Sequence, residues 1–552
     1  MYGSLLVVTM SLLRPAPLAQ IAVSRYNVEF LWRGAGTFPF GVPMSLRRVC
    51  QWMALLGLSL FEIGCGQYYR PVVIPCVGTN GSVPGCPTVT NPTPSNFHAV
   101  FAINGNGSFY AGTGMELDVS GDTDIGAANT GLNPTHAGIT PNNGRVFVTN
   151  AGSLIAGGAD TVAAFTPVAD SAIASGLGIV TTFSLPAGSL PVFVNTMENA
   201  AAYVADFGTN SVAVLNSNSN IVSSIVSVGV NPVALAETPD ATKLYVANQG
   251  DNTITSLNIV GLTQNTVTGF SGVTPVWLAA RGDSQKIYVL TQGDGKLITI
   301  DTATDTVSGS FSVGAGANFI YFDSNGNRLY VTNPATGTLY IFSDTGGAND
   351  TPSLLTTLPI TGLGATTTTA CPGCGAAVPV SVTALPDGTR AYVASYQIAS
   401  PCPDPNVTVS PCIIPELTAI DSLSNTLETG MPMLLLAPPL FLPATSGLAE
   451  PYAVPPVTAC TTAATYSPAS TRFRVFTTAS ADSTHVFVSM CDAGSVAVIN
   501  TTDSDTNNPG AGVGADTVVT DLPAPFGSCS GTAGSCGAAP PLQNPLFMFA
   551  GN

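Results

Sequence analysis

An all-β repeat fold is predicted by three features of this 552-residue chain. The first is a hairpin signal. "KLYVANQGDNTITSLN", residues 243–258, has two short alternating runs split by Gly-Asp-Asn, and alternation is the period of a strand. The second is recurrence of that signal along the chain. The third is composition: 57 Gly and 43 Pro beside 45% hydrophobic and 9% charged residues describe a turn-dense packed protein, not a disordered one. A lone hairpin cannot bury its own apolar face, so each copy must lean on the next.

The copies can be read in order. "GRVFVTNAGS" carries Phe147, "AAYVADFGTNSVAVLN" Tyr203, and "KLYVANQGDNTITSLN" Tyr245. "KIYVLTQGDGKLITID" follows at Tyr288, "RLYVTNPATGTLYIFS" at Tyr330, "RAYVASYQ" at Tyr392 and "HVFVSMCDAGSVAVIN" at Phe487. These aromatic anchors lie 56, 42, 43, 42, 62 and 95 residues apart. About ten residues earlier sits another short strand, usually opened by X-Pro: "NPTHAGIT", "LPVFVNT", "NPVALAET", "TPVWLAA", "VPVSVTA". A fourth β-rich run follows each hairpin, such as "NIVSSIVSVG". Four strands at a period near 42 make a propeller blade. The chain ends on an opening strand, "QNPLFMFAGN", and after a Pro-rich stretch begins with the other three, "HAVFAIN", "GMELDVS" and "DTDIGAAN". Joining them closes the ring through a split blade and removes both sheet edges. The expectation is a β-propeller of eight four-stranded blades; seven is the alternative, if the terminal pieces only patch an existing blade.

"LYVAN" and "LYVTN" resemble the YVTN-type β-propeller repeats of bacterial and archaeal surface proteins, a part of the lactonase-like propeller superfamily, over residues 97–552. The resemblance implies fold more than activity, because propellers host many unrelated functions.

The front end reads as an address. From Met44 there is a basic start (Arg47, Arg48), an apolar stretch from Val49 to Phe61, and then Gly64-Cys65. This is signal-peptide organisation. Gly before Cys resembles a bacterial lipoprotein cleavage site, which would make Cys65 the lipidated mature N-terminus, although Glu62 stands where that pattern has Leu. The expected division is therefore 1–43 as a non-native extension, 44–64 as signal peptide, 65–96 as Pro-rich tether and 97–552 as propeller. A form starting at Cys65 keeps ten basic and thirty acidic residues, a net charge of −20. With a formal charge of −17 for the whole chain and no basic run past residue 48, nucleic acid is excluded as a partner. The expected location is the bacterial envelope, lipid-anchored at the outer membrane or cell surface.

Ten cysteines remain beyond Cys50 and Cys65, and they fall into neighbouring pairs: Cys76/Cys86, Cys371/Cys374, Cys402/Cys412, Cys460/Cys491 and Cys529/Cys536. An even set in an exported chain suggests disulfides, with connectivity left open. "CPGC" at 371–374 lacks a second half-site with His, and no thioredoxin-like pattern surrounds it. With blade strands named a to d from the X-Pro strand outward, up-and-down order puts d–a and b–c connections on one face. All the propeller's cysteines and its long insertions fall on that face.

Signals for chemistry are sparse. Lactonase-type propellers would use the central channel, lined by strand a. The charged residues there are scattered: His136, Glu237, Arg281, Asp323 and Arg474. The weak channel candidates are His136, Glu237 and Arg281. The three His (His98, His136, His485) show no metal-ligand spacing, so neither metal nor cofactor is expected. "RGD" at 281–283 is good turn chemistry. No Gly-x-Ser-x-Gly elbow or phosphate loop occurs. Three readings follow: a non-catalytic envelope protein binding a protein or glycan through stapled loops, a channel hydrolase such as a lactonase, and a self-assembling surface protein.

Overall fold

The computed structural model describes residues 99–105, 110–118, 123–154, 158–167, 180–198, 200–323, 325–344, 351–363, 373–400, 412–428, 431–435, 442–443, 474–501, 516–525 and 543–551. Residues 1–96, with the extension, signal peptide, Cys65 and tether, lie outside them.

The described residues form eight antiparallel sheets. The first blade is the split one: Asn544–Ala550 pairs with Ala99–Gly105, which pairs with Ala111–Asp118, which pairs with Thr123–Leu132. Blades two to eight follow in chain order. Their innermost strands are Pro134–Ile139, Pro191–Asn195, Pro232–Glu237, Pro275–Ala280, Phe319–Asp323, Val378–Ala384 and Val475–Ala479. Each innermost strand packs on the next, and the eighth on Asn544–Ala550, so the ring closes. The chain is an eight-bladed propeller.

Turn chemistry sets the hairpins. The tight b–c turns end on Asn210, Asn252, Gly295, Gly337 and Gly494, with φ of 55°, 58°, 61°, 65° and 67°. Only Gly, or Asn at small cost, takes that left-handed conformation readily, which is why the sequence alternates those two types there. The residues before the opening prolines are also left-handed: Asn133, Leu190, Asn231 and Thr274.

Burial departs from the one-faced strand that alternation suggests. Lys243–Asn248 is buried from its second residue onward, and Pro232–Glu237 throughout. The reason is the architecture: both faces of a blade are covered by neighbouring blades, as in sheets sandwiched between layers. One-faced exposure appears only at the rim, where Ile221–Ser227 and Thr306–Ser312 alternate. The anchors Tyr245, Tyr288, Tyr330, Tyr392, Phe147 and Phe487 are fully buried core residues.

The anchors also latch blades together. Tyr245 Oη donates to Asp305 in the next blade, Tyr288 Oη to Asp344 and Tyr392 Oη to Asp516. The basic residue two positions before the anchor crosses the same seam. Lys243 reaches the Thr302 carbonyl, Arg328 that of Ser422, Arg390 that of Thr501, and Arg145 that of Ser217. The fifth blade varies the scheme, because Lys286 pairs within its own blade with Asp301 and Arg281 crosses instead to Asp344.

Candidate functional site

The axis of the ring is the first place to seek chemistry. In five blades the innermost strand shifts register just after its proline. A bulge of this kind re-aims the following side chain. The residue two positions after the proline, or its equivalent, is His136, Phe193, Ala234, Trp277, Phe319, Ser381, Phe476 and Phe547 around the ring. Six of these carry rings, and the rings touch in a closed cycle. Centroids lie 3.9 Å apart for His136–Phe193, 5.5 Å for Phe193–Trp277 and 4.7 Å for Trp277–Phe319. The cycle continues at 5.5 Å for Phe319–Phe476, 4.6 Å for Phe476–Phe547 and 4.3 Å for Phe547–His136. His136 also meets Trp277, three blades away, at 6.5 Å. Such a contact can form only at the centre. Ala234 and Ser381 are the small members that let rings of non-adjacent blades meet.

His136 is therefore part of a plug. Val194 N donates to its Nδ1 at 3.2 Å, so the neutral ring carries its proton on Nε2. Burial drives its pKa down to about 3, partly opposed by that backbone contact.

Glu237 and Arg281 lie at the a–b end of the fourth and fifth blades and turn away from each other. Arg281 is 2% exposed. Its Nη1 donates to Asp344 and its Nε to Asp283, both at 2.8 Å. Glu237 is 1% exposed and points back to the third blade, where its electrostatic partner is Glu198. Tyr203 Oη donates to Glu198 Oε1 at 3.0 Å. Desolvation first, and then Glu198, push the Glu237 carboxyl well above the ordinary range, with Asp240 adding to the effect. Glu198 is raised too, chiefly by burial. Among the described residues no N–H or hydroxyl donor reaches either Glu237 oxygen, and a carboxylic acid proton shared with Glu198 would satisfy the pair.

The three weak channel candidates thus do not converge: one sits in the plug, one in an acid pair and one in an inter-blade latch. Of the other charged residues near strand a, Asp323 accepts from Asn325 N and Gly326 N in its own turn, and Arg474 pairs with Asp492 at 3.1 Å. Among the described residues no group of three or more His, Cys, Asp and Glu is placed to hold a metal. Sequence reasoning missed Glu198 and the aromatic members of the plug. The available signal was the third residue of each opening strand, read down the repeats as a column.

The cysteine face is described in part. Cys374 bridges Ala399, and Ala399 also pairs with Cys412, so the bases of two insertions meet on one end of the seventh blade. Met433–Leu434 and Leu442–Pro443 pair with Cys412–Asp421 beside them. Cys374 and Cys491 are each disulfide-bonded. Cys76, Cys86, Cys371, Cys402, Cys460, Cys529 and Cys536 lie outside the described residues, and so do any pairings through them.

No family model matches the chain, and no curated protein matches it. Solved structures do. The periplasmic gluconolactonase of Pseudomonas aeruginosa shares 12% identity, with 82% of this chain and 99% of that one covered and a TM-score of 0.44. A candidate 6-phosphogluconolactonase from Bacteroides uniformis shares 14%, covering 61% and 96%, at a TM-score of 0.44. Hydrazine synthase of Kuenenia stuttgartiensis shares 15%, covering 59% and 83%, at 0.38. At these identities and TM-scores no activity passes from them to this chain.

Proposed function

We propose that this protein is a lipid-anchored propeller of the bacterial cell envelope that binds a protein or glycan partner through the stapled loops of one face, without chemistry of its own. The aromatic plug carries this reading. A channel hydrolase gathers acids, bases and oxyanion donors where the blades converge. Here six packed rings occupy that position, and the charged residues nearby are engaged by other side chains or by their own turns. The opposite resource is plentiful. Antiparallel order puts the strand ends that flank 360–377, 400–411 and 524–543 at the same end of their blades, on a scaffold whose strands are buried and latched. Loops held by a rigid scaffold are where recognition usually lives.

Four measurements test it. Intact mass of the membrane-extracted protein, with and without reduction, should give a chain beginning at Cys65 with added acyl mass and ten thiols alkylated only after reduction. Photo-crosslinkers placed in residues 401–411 should trap a partner on cells, and the same group at Asp240 on the other face should not. A panel of lactones should be left intact; turnover that is lost in His136→Ala would instead establish the channel-hydrolase reading. A concentration-dependent oligomer in light scattering, with no trapped partner, would favour self-assembly.

A further inference from the structure

The seams between blades are not built alike. At three of them the anchor tyrosine donates to an acid at the next blade's c–d turn: Tyr245 to Asp305, Tyr288 to Asp344 and Tyr392 to Asp516. Asp305 and Asp516 hold that place at φ 55° and 57°. The seventh blade has Asn425 there, at φ 56°, and the Asn425 Oδ1 has no donor. Tyr330, the sixth blade's anchor on the other side of this seam, has no partner for its Oη. Ser422 Oγ, in the same turn as Asn425, faces Tyr330 but is unpaired as well. The parts of the latch are present and the latch is not made. The third blade's anchor also lacks an acid, because Leu262 stands at that turn, but Tyr203 Oη is satisfied by Glu198.

The seam between the sixth and seventh blades is unsatisfied further up too. Tyr392 faces the eighth blade, so alternation turns Ser395 and Gln397 toward the sixth. Register puts Glu416 opposite Ser395, with Thr418 two residues along on the same face. The contacts agree: Glu416 Oε1 accepts from Leu363 N at 3.1 Å, and Gln397 Nε2 donates to the Gly375 carbonyl at 2.7 Å, both in the connection from the sixth blade. Yet Ser395 Oγ, Gln397 Oε1, Glu416 Oε2 and Thr418 Oγ1 have no partner, in residues at most 3% exposed. Each unpaired buried group costs about 1–3 kcal/mol against the same group in water. The innermost strands of these blades are tied, by Asn318 Nδ2 to the Val380 carbonyl at 2.8 Å and Asn325 Nδ2 to the Pro386 carbonyl at 2.7 Å. Farther out, Arg328 Nη2 crosses to the Ser422 carbonyl at 2.8 Å.

We propose that the ring opens at the seam between the sixth and seventh blades, pivoting on the tied innermost strands, so that water reaches the column from Tyr330 to Gln397. Opening breaks the one bond from Arg328 and hydrates seven polar atoms that the closed seam leaves unpaired. Local opening of this kind is drawn from the least stable contacts of a fold. It widens the loop face beside Leu363 and Gly375, and it stands whether or not that face binds a partner.

The test is thiol labelling of the full-length protein. Ser395→Cys places a thiol in this seam. Thr291→Cys places one at the same repeat position, three after the anchor, facing the latched seam between the fourth and fifth blades. Both positions are fully buried. Under native conditions the Ser395→Cys thiol should react with iodoacetamide about tenfold faster or more, read from the mass of the labelled peptide. Adding Asn425→Asp restores the latch acid and should slow that reaction about tenfold, while the rate at 291 stays unchanged. A second readout needs no new thiol. Tyr330→Phe removes an unpaired hydroxyl and should leave the melting temperature unchanged or raised, whereas Tyr392→Phe should lower it. Equal labelling of the two thiols would mean a sealed seam and overturn the proposal. So would a rate at 395 indifferent to Asn425→Asp, or a Tyr330→Phe variant that loses as much as Tyr392→Phe.

Discussion

Tyr245 Oη donates to Asp305 Oδ1 at 2.5 Å across the seam between the fourth and fifth blades. The same carboxylate accepts from Lys243 Nζ at 3.0 Å and from Ser256 Oγ at 3.0 Å. Asp305 is held at φ 55° by its turn, so a local left-handed residue becomes the receiver of three inter-blade donors. Removing only the hydroxyl, by Tyr245→Phe, should cost about 1.5–3 kcal/mol, the range for a hydrogen bond to a charged group. Tyr245→Ala also empties the core and should cost about 3–5 kcal/mol. Chemical denaturation checks both, and a double-mutant cycle with Asp305→Asn should give a non-zero coupling. An unchanged melt in Tyr245→Ala would contradict the blade assignment.

Glu237 gives a pH dependence of definite sign. Its folded pKa is raised above the ordinary 4.5. Between those two values the folded state binds more protons than the unfolded one. Stability is therefore full at low pH and declines as pH rises through that window. Glu237→Gln imitates the protonated acid. It should match the wild type near pH 4 and exceed it at pH 8, in melts run across that range. A variant that loses stability at every pH would mean that the shared proton is not what satisfies the pair.

His136 should behave in the opposite sense. Its folded pKa of about 3 lies below the ordinary 6.5, so the unfolded state binds more protons between them. Stability is full above pH 6.5 and is lost as pH falls through the window. Nitrogen NMR of the labelled imidazole should show a neutral ring, protonated at Nε2, from pH 5 to 8. His136→Phe keeps a ring in the plug but leaves Val194 N without its acceptor, which should cost about 1–3 kcal/mol. A His136 resonance titrating near 6.5 would place the ring in water and undo the plug.

Trp277 reports on the axis directly. It is 8% exposed, and it is the only tryptophan beyond Trp52. Its fluorescence should be blue-shifted and poorly quenched by iodide in a chain processed at Cys65. Trp277→Ala removes the ring that touches Phe193 and Phe319 and should cost about 3–5 kcal/mol. Ready quenching in the folded protein would mean an open channel.

By itself the sequence determined the blade and pointed to eight of them with a split closure, with seven left open until the strand pairing of the termini was seen. Those rest on local patterns: the anchor, the X-Pro strand, and Asn or Gly where a turn needs positive φ, as at Asn252 and Gly295. "QNPLFMFAGN" could be assigned to the first blade because an unpaired edge at each end leaves one economical solution, and Asn544–Ala550 does pair with Ala99–Gly105. The basic residue at Lys243, Arg328 and Arg390 was visible as a repeat, but not its target. That target lies in the next blade, 59 residues away for Lys243 and 111 for Arg390. The tertiary structure alone decided what meets at the axis. His136, Phe193, Trp277, Phe319, Phe476 and Phe547 each sit in a different blade, and no periodicity within a blade encodes contact among blades that are not neighbours. It also decided that Glu237 faces Glu198 while Arg281 faces Asp344. Side-chain alternation assigns a residue to a face of its sheet, whereas the ring's geometry determines which neighbouring blade covers that face.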